Sequence, residues 1–204
     1  MMALELPPGL TLYFCRHGET QANVAHRFQG DHTDTPLTPQ GRAQCQAIAR
    51  IVQKDVPNPA ALGYVCSPMP RARASMEIIR KGLDLHPDGY AADERLREIE
   101  LGAWDGLTDA EAKALDPEMF VRRGNDKWHV RVPGGGENYA DVAARITEWL
   151  GELRADTFAV SHGAATRILR GLFGGLSWQD MSALDEPQGV VFRASGRQVT
   201  RLEP

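Results

Sequence analysis

TLYFCRHGETQAN, residues 11–23, runs out of an apolar segment directly into arginine, histidine, glycine and glutamate. Leu12–Cys15 reads as a short buried strand, because four consecutive apolar or aromatic residues end abruptly at charge. Residues 16–19 then leave that strand at its carboxyl end. A chain that exits its core on Arg16 and His17 is delivering them somewhere, and the rest of the sequence says where.

The same transition occurs twice more. Tyr64–Ser67 predicts a second buried strand, and CSPMPR (66–71) leads from it to Arg71. TFAVS (157–161) predicts a third, followed at once by His162 and Gly163. Helical patterns lie between and after these strands. Thr38 as N-cap and Pro39 at the first helical position open a helix with Ala43, Ala47, Ile48, Ile51 and Val52 on its apolar face. Further helices are expected over residues 71–81, over 109–115 behind a Thr108/Glu111 capping box, and over 139–153 and 164–173. Residues 190–194 and 198–202 predict a hairpin turning at Ser195-Gly196.

Strands alternating with helices predict an α/β fold, with a central, mostly parallel sheet covered on both faces in a three-layer αβα sandwich. In such sheets ligands bind beyond the carboxyl ends of the strands. Arg16, His17, Arg71 and His162 therefore converge on one edge. The competing reading is scattered surface arginines and core histidines. It fails on position, since each of the four follows an apolar strand. His26, His32, His86 and His129 sit in polar loops and read as surface residues, His26 and His32 nearest the rim.

Bulk properties narrow the field. The chain has 204 residues, 42% hydrophobic and 25% charged, the ordinary range for a soluble globular protein. No linker, repeat or charge block divides it, so one domain over residues 1–204 is expected. The net charge of −4 argues against nucleic acid or a membrane surface as partner. No window is long enough for a membrane span, and the N-terminus lacks the basic-then-apolar pattern of a secretion signal. Three well-separated cysteines fit reduced thiols and a cytoplasmic location.

The residue types at the shared edge suit a phosphate. Each guanidinium presents a planar fork to two oxygens. A neutral histidine is a competent nucleophile toward phosphorus. Gly18 lets backbone approach the ligand closely. No Walker-type glycine loop is present, which argues against P-loop nucleotide hydrolysis.

Five segments together resemble the histidine phosphatase superfamily, the cofactor-dependent phosphoglycerate mutase-like enzymes. They are RHGETQANVAHRFQG, DTPLTPQGRAQCQAIA, CSPMPRARAS, LREIELGAWDG and VSHGAATRIL, in the family's order and spread over nearly the whole chain. The resemblance implies a phosphoglycerate mutase-like fold and a small phosphorylated metabolite as substrate, without metal or other cofactor, and it leaves a homodimer open. It implies that His17 becomes phosphohistidine and that Glu98 protonates the leaving oxygen. Spacing alone leaves Glu19, Glu94, Glu98 and Glu100 in competition for that proton; Glu98 is singled out by its place in LREIELG. Arg16, Arg71 and a protonated His162 would hold the phosphoryl oxygens, with Asn23 and Gly163 beside them. Gln29, Gly30 and the PGGGEN loop (133–138) would complete the rim. Trp104 is expected to pack.

Water as phosphoryl acceptor makes the chain a phosphatase; a substrate hydroxyl would make it a mutase. Only residues 99–161 separate the acid from the second histidine, shorter than in the mutases, and Leu101 stands where they carry tyrosine. Both favour hydrolysis. Arg122-Arg123 resembles the mutases' carboxylate-binding pair and points to a second anionic group on the substrate. Two other classes are open: a non-catalytic phospholigand-binding domain, disfavoured by the complete His/Arg/Arg/His/Glu set, and a metal site of His17, Glu19, His26 and His32, whose spacing matches no ligand geometry.

Overall fold

The computed structural model describes residues 4–204. Six strands form one sheet in the order β3-β2-β4-β1-β5-β6. They are β1 (Thr11–Arg16), β2 (Gly63–Cys66), β3 (Ala91–Ala92), β4 (Thr157–Ser161), β5 (Val191–Ser195) and β6 (Gln198–Leu202). β1, β2, β3 and β4 run parallel, while β5 and β6 add an antiparallel hairpin beside β1.

Alternation along the strands builds two cores. Leu12, Phe14, Val65 and Ala159 face one side; Tyr13, Cys15, Tyr64, Cys66, Phe158 and Val160 face the other. Successive side chains of a strand point to opposite faces. A strand apolar on both faces must therefore be covered twice, and β4, buried at every residue, is the central example. The first face is covered by α6 (Tyr139–Gly151) and α7 (Gly163–Phe173), the second by α2 (Pro39–Asp55) and α3 (Pro70–Gly82). This is the three-layer αβα arrangement expected from the sequence. Cys15, Cys45 and Cys66 are free thiols buried in it.

Four further, shorter α-helices lie among the described residues. α1 (Gln21–Val24) sits within the loop after β1, and α4 (Asp109–Leu115) and α5 (Pro117–Asn125) stand over the strand ends. α8 (Trp178–Ala183) precedes β5. The capping box of α4 is formed as expected by Thr108 and Glu111. α5 and α8 begin on Asp116 followed by Pro117 and on Ser177, both N-cap signals readable in the sequence. Among the described residues no helix is long and apolar enough to cross a membrane.

The register positions the site. Arg16 pairs with Ser161, and Cys66 with Val160. The ladder continues one step past each strand, with His17 N–H donating to the Ser161 carbonyl at 2.9 Å and Ser67 N–H to the Val160 carbonyl at 3.0 Å. Three parallel strands thus end in line, and residues 16–18, 67–71 and 162–163 leave them side by side.

Candidate active site

His17 and His162 face each other beyond the sheet edge, their ring centroids 5.2 Å apart. Both are buried. The Nδ1 of His17 lies 2.8 Å from the Gly18 carbonyl, which can only accept, so Nδ1 carries the proton and Nε2 keeps its lone pair. Burial, then the charges of Arg16 and Arg71, hold the His17 imidazole well below its ordinary pKa, and so neutral. A fixed tautomer with a free, unprotonated Nε2 is what a nucleophile needs.

The turn carrying His17 is locked from below. Gly18 N–H donates to the Ser75 hydroxyl at 3.0 Å, and a Cβ at Gly18 would lie 2.3 Å from the Gly41 carbonyl oxygen. Glu19 does not enter the site: its backbone N–H donates to Gln44, and its carboxylate accepts from the Thr38 hydroxyl at 2.6 Å. Glu19 thus ties the loop to the N-terminus of α2.

His162 differs from the sequence expectation. Its Nε2 lies 2.7 Å from the Ser67 hydroxyl, and its Nδ1 is buried with no partner. Burial, then the charge of Arg71 and the proximity of His17, push its pKa well down, so the imidazole is neutral rather than protonated. Two buried imidazoles flanked by guanidinium groups cannot both gain charge without an anion between them.

Glu98 is oriented by two backbone donors, Ile99 N–H to Oε1 at 2.9 Å and Gly163 N–H to Oε2 at 3.1 Å. Those bonds favour the carboxylate, yet its pKa is raised, first by burial and then by the charge of Glu186. Of the four competing carboxylates, Glu98 alone lines the cavity beside His17. Glu94 is exposed and pairs with Arg97, and Glu100 stands outside.

The two arginines divide. Arg16 lines the cavity, donates to the Glu186 carbonyl at 2.9 Å and keeps its Nε free of protein partners. Arg71, buried beneath, gives its Nη donors to Asp34 and to the carbonyls of Gln29, Gly30 and Thr33. Only its Nε is left over. Asp105 holds the same loop from the other side, accepting from the backbone of Gly30, His32 and Thr33. Arg71 therefore shapes the 29–34 loop as well as adding charge.

Other expected residues separate in the same way. Asn23 lines the cavity; its Oδ1 is occupied by Thr20 N–H and Gln188 Nε2, leaving the amide nitrogen for a ligand. Gln29 also lines it, but both ends of its amide are used by Thr20 and Thr35. Gly30 is a backbone anchor between Asp105 and Arg71, outside the cavity. Gly163 lies at the start of α7, its amide on Glu98. Arg122 is exposed and points away, because on α5 only its neighbour Arg123 falls on the inward face. The glycines of PGGGEN pack behind Gly102 rather than on the rim, and Asn138 caps α6. Trp104 is buried between Phe28 and Phe120.

The cavity is about 460 Å³. Beyond His17, Phe28, Ile99, Leu101, Trp104, Phe120 and Tyr139 form an apolar wall. Arg123, Lys127 and Arg167 add positive charge to the lining, and of these the sequence reading had only Arg123. Arg123 is buried against the Tyr139 ring with Nε and Nη1 unpartnered. Arg167 donates to the Tyr139 hydroxyl and pairs with Glu186. A signal for Arg167 existed: it follows Gly163 by four residues, one helical turn along the same face. Glu186 lies in an irregular segment with no such periodicity.

The metal alternative is not assembled. His17 and Glu19 are engaged as above, and His32 instead lies near Asp31 and Glu100, beside the Arg97–Asp31 ion pair.

Comparison with known proteins agrees with this geometry. The family model "Histidine phosphatase superfamily (branch 1)" matches residues 12–195. A 6-phosphofructo-2-kinase/fructose-2,6-bisphosphatase of Caenorhabditis elegans is 30% identical over 97% of the chain and 41% of its own length. The chain thus spans less than half of that relative. A glucosyl-3-phosphoglycerate phosphatase of Mycobacterium tuberculosis is 38% identical over 71% of the chain and 60% of its own length. Among solved structures, Bacillus stearothermophilus YhfR superposes with a TM-score of 0.78 at 30% identity, covering 91% of this chain and 90% of that one. A buried His17 with its Nε2 lone pair free, a buried carboxyl at Glu98 beside it and a family match over residues 12–195 lead to one statement: the chain belongs to the histidine phosphatase superfamily, branch 1.

Proposed function

We propose that the protein is a metal-independent phosphatase acting on a small phosphomonoester that carries a second anionic group. The observation that carries this reading is the set of buried donors without protein partners. Arg16 Nε, Arg123 Nε and Nη1 and Arg167 Nε belong to residues lining one cavity, and Arg71 Nε and His162 Nδ1 to residues buried behind His17, which lines it too. A buried donor left unpaired costs the full desolvation of that group, and an anion in the cavity removes the cost.

In this reading His17 Nε2 attacks phosphorus in line, forming an N–P bond as the P–O bond to the leaving group breaks. Protonated Glu98 transfers its proton to the departing oxygen. It then takes a proton from the water that attacks phosphohistidine, which returns His17 and releases inorganic phosphate. Arg16, Arg71, His162 and Asn23 stabilise the charge on the equatorial oxygens. The fixed cations do the neutralising for which other enzymes use a metal.

Arg123 and Lys127, which line the same cavity as His17, support the second anionic group, while Arg167 lies nearer the nucleophile through its pairing with Glu186 beside Arg16. Two relatives carry names pointing the same way, one a bisphosphatase and the other a phosphatase of a phosphoglycerate. The cavity suits a sugar-sized body between the two anionic ends. A second reading, phosphoryl transfer to a substrate hydroxyl, draws on Arg123 alone.

The test is phosphate release from a panel of phosphomonoesters, with and without a second anionic group, in excess chelator, wild-type beside His17→Ala. Release that persists in chelator and is lost in the variant supports the reading. A requirement for a phosphorylated primer supports the mutase. Saturable binding without turnover supports a non-catalytic domain.

A further inference from the structure

We propose that Glu186 is a built-in competing anion, whose carboxylate sits in the phosphoryl cradle of the free enzyme and must leave it when phosphate binds. This rests on the phosphatase reading and assigns a residue to the control of phosphate affinity in that same site.

The carboxylate lies between Arg16, one of the groups expected to hold phosphate, and Arg167. Its Oε1 is 3.1 Å from Arg167 Nη2, and its Oε2 is 4.0 Å from Arg16 Nη1. Oε2 also rests against Gly163 at the start of α7, where a Cβ would come within 2.5 Å of it. Gly163 is the residue whose amide holds Glu98. One small region therefore contains two carboxylates, the first turn of a helix and two guanidinium groups, one of them next to the nucleophile.

The backbone around Glu186 is held independently of its side chain. Asp185 pairs with Arg170 and Arg201. Gln188 donates to the His17 carbonyl and to Asn23 Oδ1, both at 3.1 Å. The Glu186 carbonyl accepts from Arg16. The segment is thus strapped across the site, while the Glu186 side chain, 30% exposed, is free to rotate toward solvent.

The consequence is competition. A phosphoryl dianion drawn to the unpartnered Nε groups of Arg16 and Arg167 and the carboxylate beside the same two guanidiniums repel each other, so substrate and product each bind against the charge of Glu186. Product release is assisted when the carboxylate returns. A purely structural anchor would act in the opposite sense, since its removal would loosen Arg16 and Arg167 and weaken phosphate binding.

The experiment is calorimetric titration of wild-type, Glu186→Gln and Glu186→Asp with inorganic phosphate, together with its inhibition constant in the hydrolysis assay. Glutamine keeps shape and loses charge; aspartate keeps charge and loses reach. Glu186→Gln is expected to bind phosphate about two- to fivefold more tightly, the scale of one partly exposed ion pair no longer displaced. KM should fall in step. Glu186→Asp should show a smaller tightening. Equal or weaker binding in folded Glu186→Gln overturns the proposal and leaves the phosphatase reading intact. Failure of both variants to fold makes Glu186 structural and also overturns it. Absence of phosphate binding in all three proteins overturns this proposal and the phosphatase reading together.

Discussion

His17 and His162 meet edge to face at 62°, buried and neutral, with Arg16 and Arg71 beside them. Their neutrality follows from burial first and neighbouring cations second. It gives His17 a lone pair for attack, and it ties the stability of the fold to pH.

Unfolded, both imidazoles titrate near 6.5; folded, both stay neutral to well below that. The unfolded chain therefore binds more protons as pH falls through 6.5, and stability drops. Two such groups give a slope of about 2.7 kcal/mol per pH unit below pH 6.5. Glu98, with its raised pKa, opposes this only between its ordinary 4.5 and its folded value. Urea midpoints at pH 7.5 and 5.5 measure the slope, and His162→Asn should roughly halve it. A flat stability profile would refute the neutral pair.

Activity should follow a bell-shaped pH curve. The reactive form has His17 neutral and Glu98 protonated, so the acid limb lies well below 6.5 and the alkaline limb above the usual carboxylate range. Glu98→Gln should lower kcat by ~10²–10⁴ with an alkyl phosphate. The loss should be smaller with p-nitrophenyl phosphate, whose leaving group needs no proton, and the alkaline limb should disappear. Persistence of that limb would assign the acid elsewhere.

Arg123 and Arg122 make an internal control. Arg123 is buried against Tyr139 in the cavity, and Arg122 is exposed. Arg123→Met should raise KM about 10- to 100-fold for substrates with a second anionic group, the range of a charge-assisted hydrogen bond. Substrates with a single phosphate should be affected far less. Arg122→Gln should change neither. Equal effects of the two variants would place the second anion outside this cavity.

The loop after β1 has no room for a side chain at Gly18. Gly18→Ala forces a Cβ against the Gly41 carbonyl and Cys45 Sγ, and should cost at least about 2 kcal/mol. Gly151→Ala, at the open end of α6, meets nothing within 4 Å and should be neutral or stabilising by up to about 1 kcal/mol. Thermal unfolding of the two variants measures the contrast, and their activities report whether His17 has moved.

Much of the site was legible because strand ends are legible. An apolar run that stops at charge marks the carboxyl edge of a parallel strand, and this happens at Arg16, at Ser67 and at His162. The helix over residues 109–115 was readable from a capping box, which is local chemistry. Glu98 was reachable only through resemblance, because burial beside Glu186 is what distinguishes it from Glu94 and Glu100, and burial is not written locally. The choice between Arg122 and Arg123 is one of helix phase on α5, a short helix signalled by Asp116-Pro117 but carrying no long apolar stripe.

By itself the sequence determined the three-layer α/β fold, the edge that carries the site, and the pair of histidines with their arginines, since hydrophobic period and strand termini are properties of neighbouring residues. Tertiary structure alone decided which groups are charged, which arginines reach the cavity, that Arg71 also holds the 29–34 loop, and that Glu186 lies over Gly163. Those outcomes depend on electrostatic interaction and burial between segments far apart in the chain, which acquire their distances only when the sheet has formed.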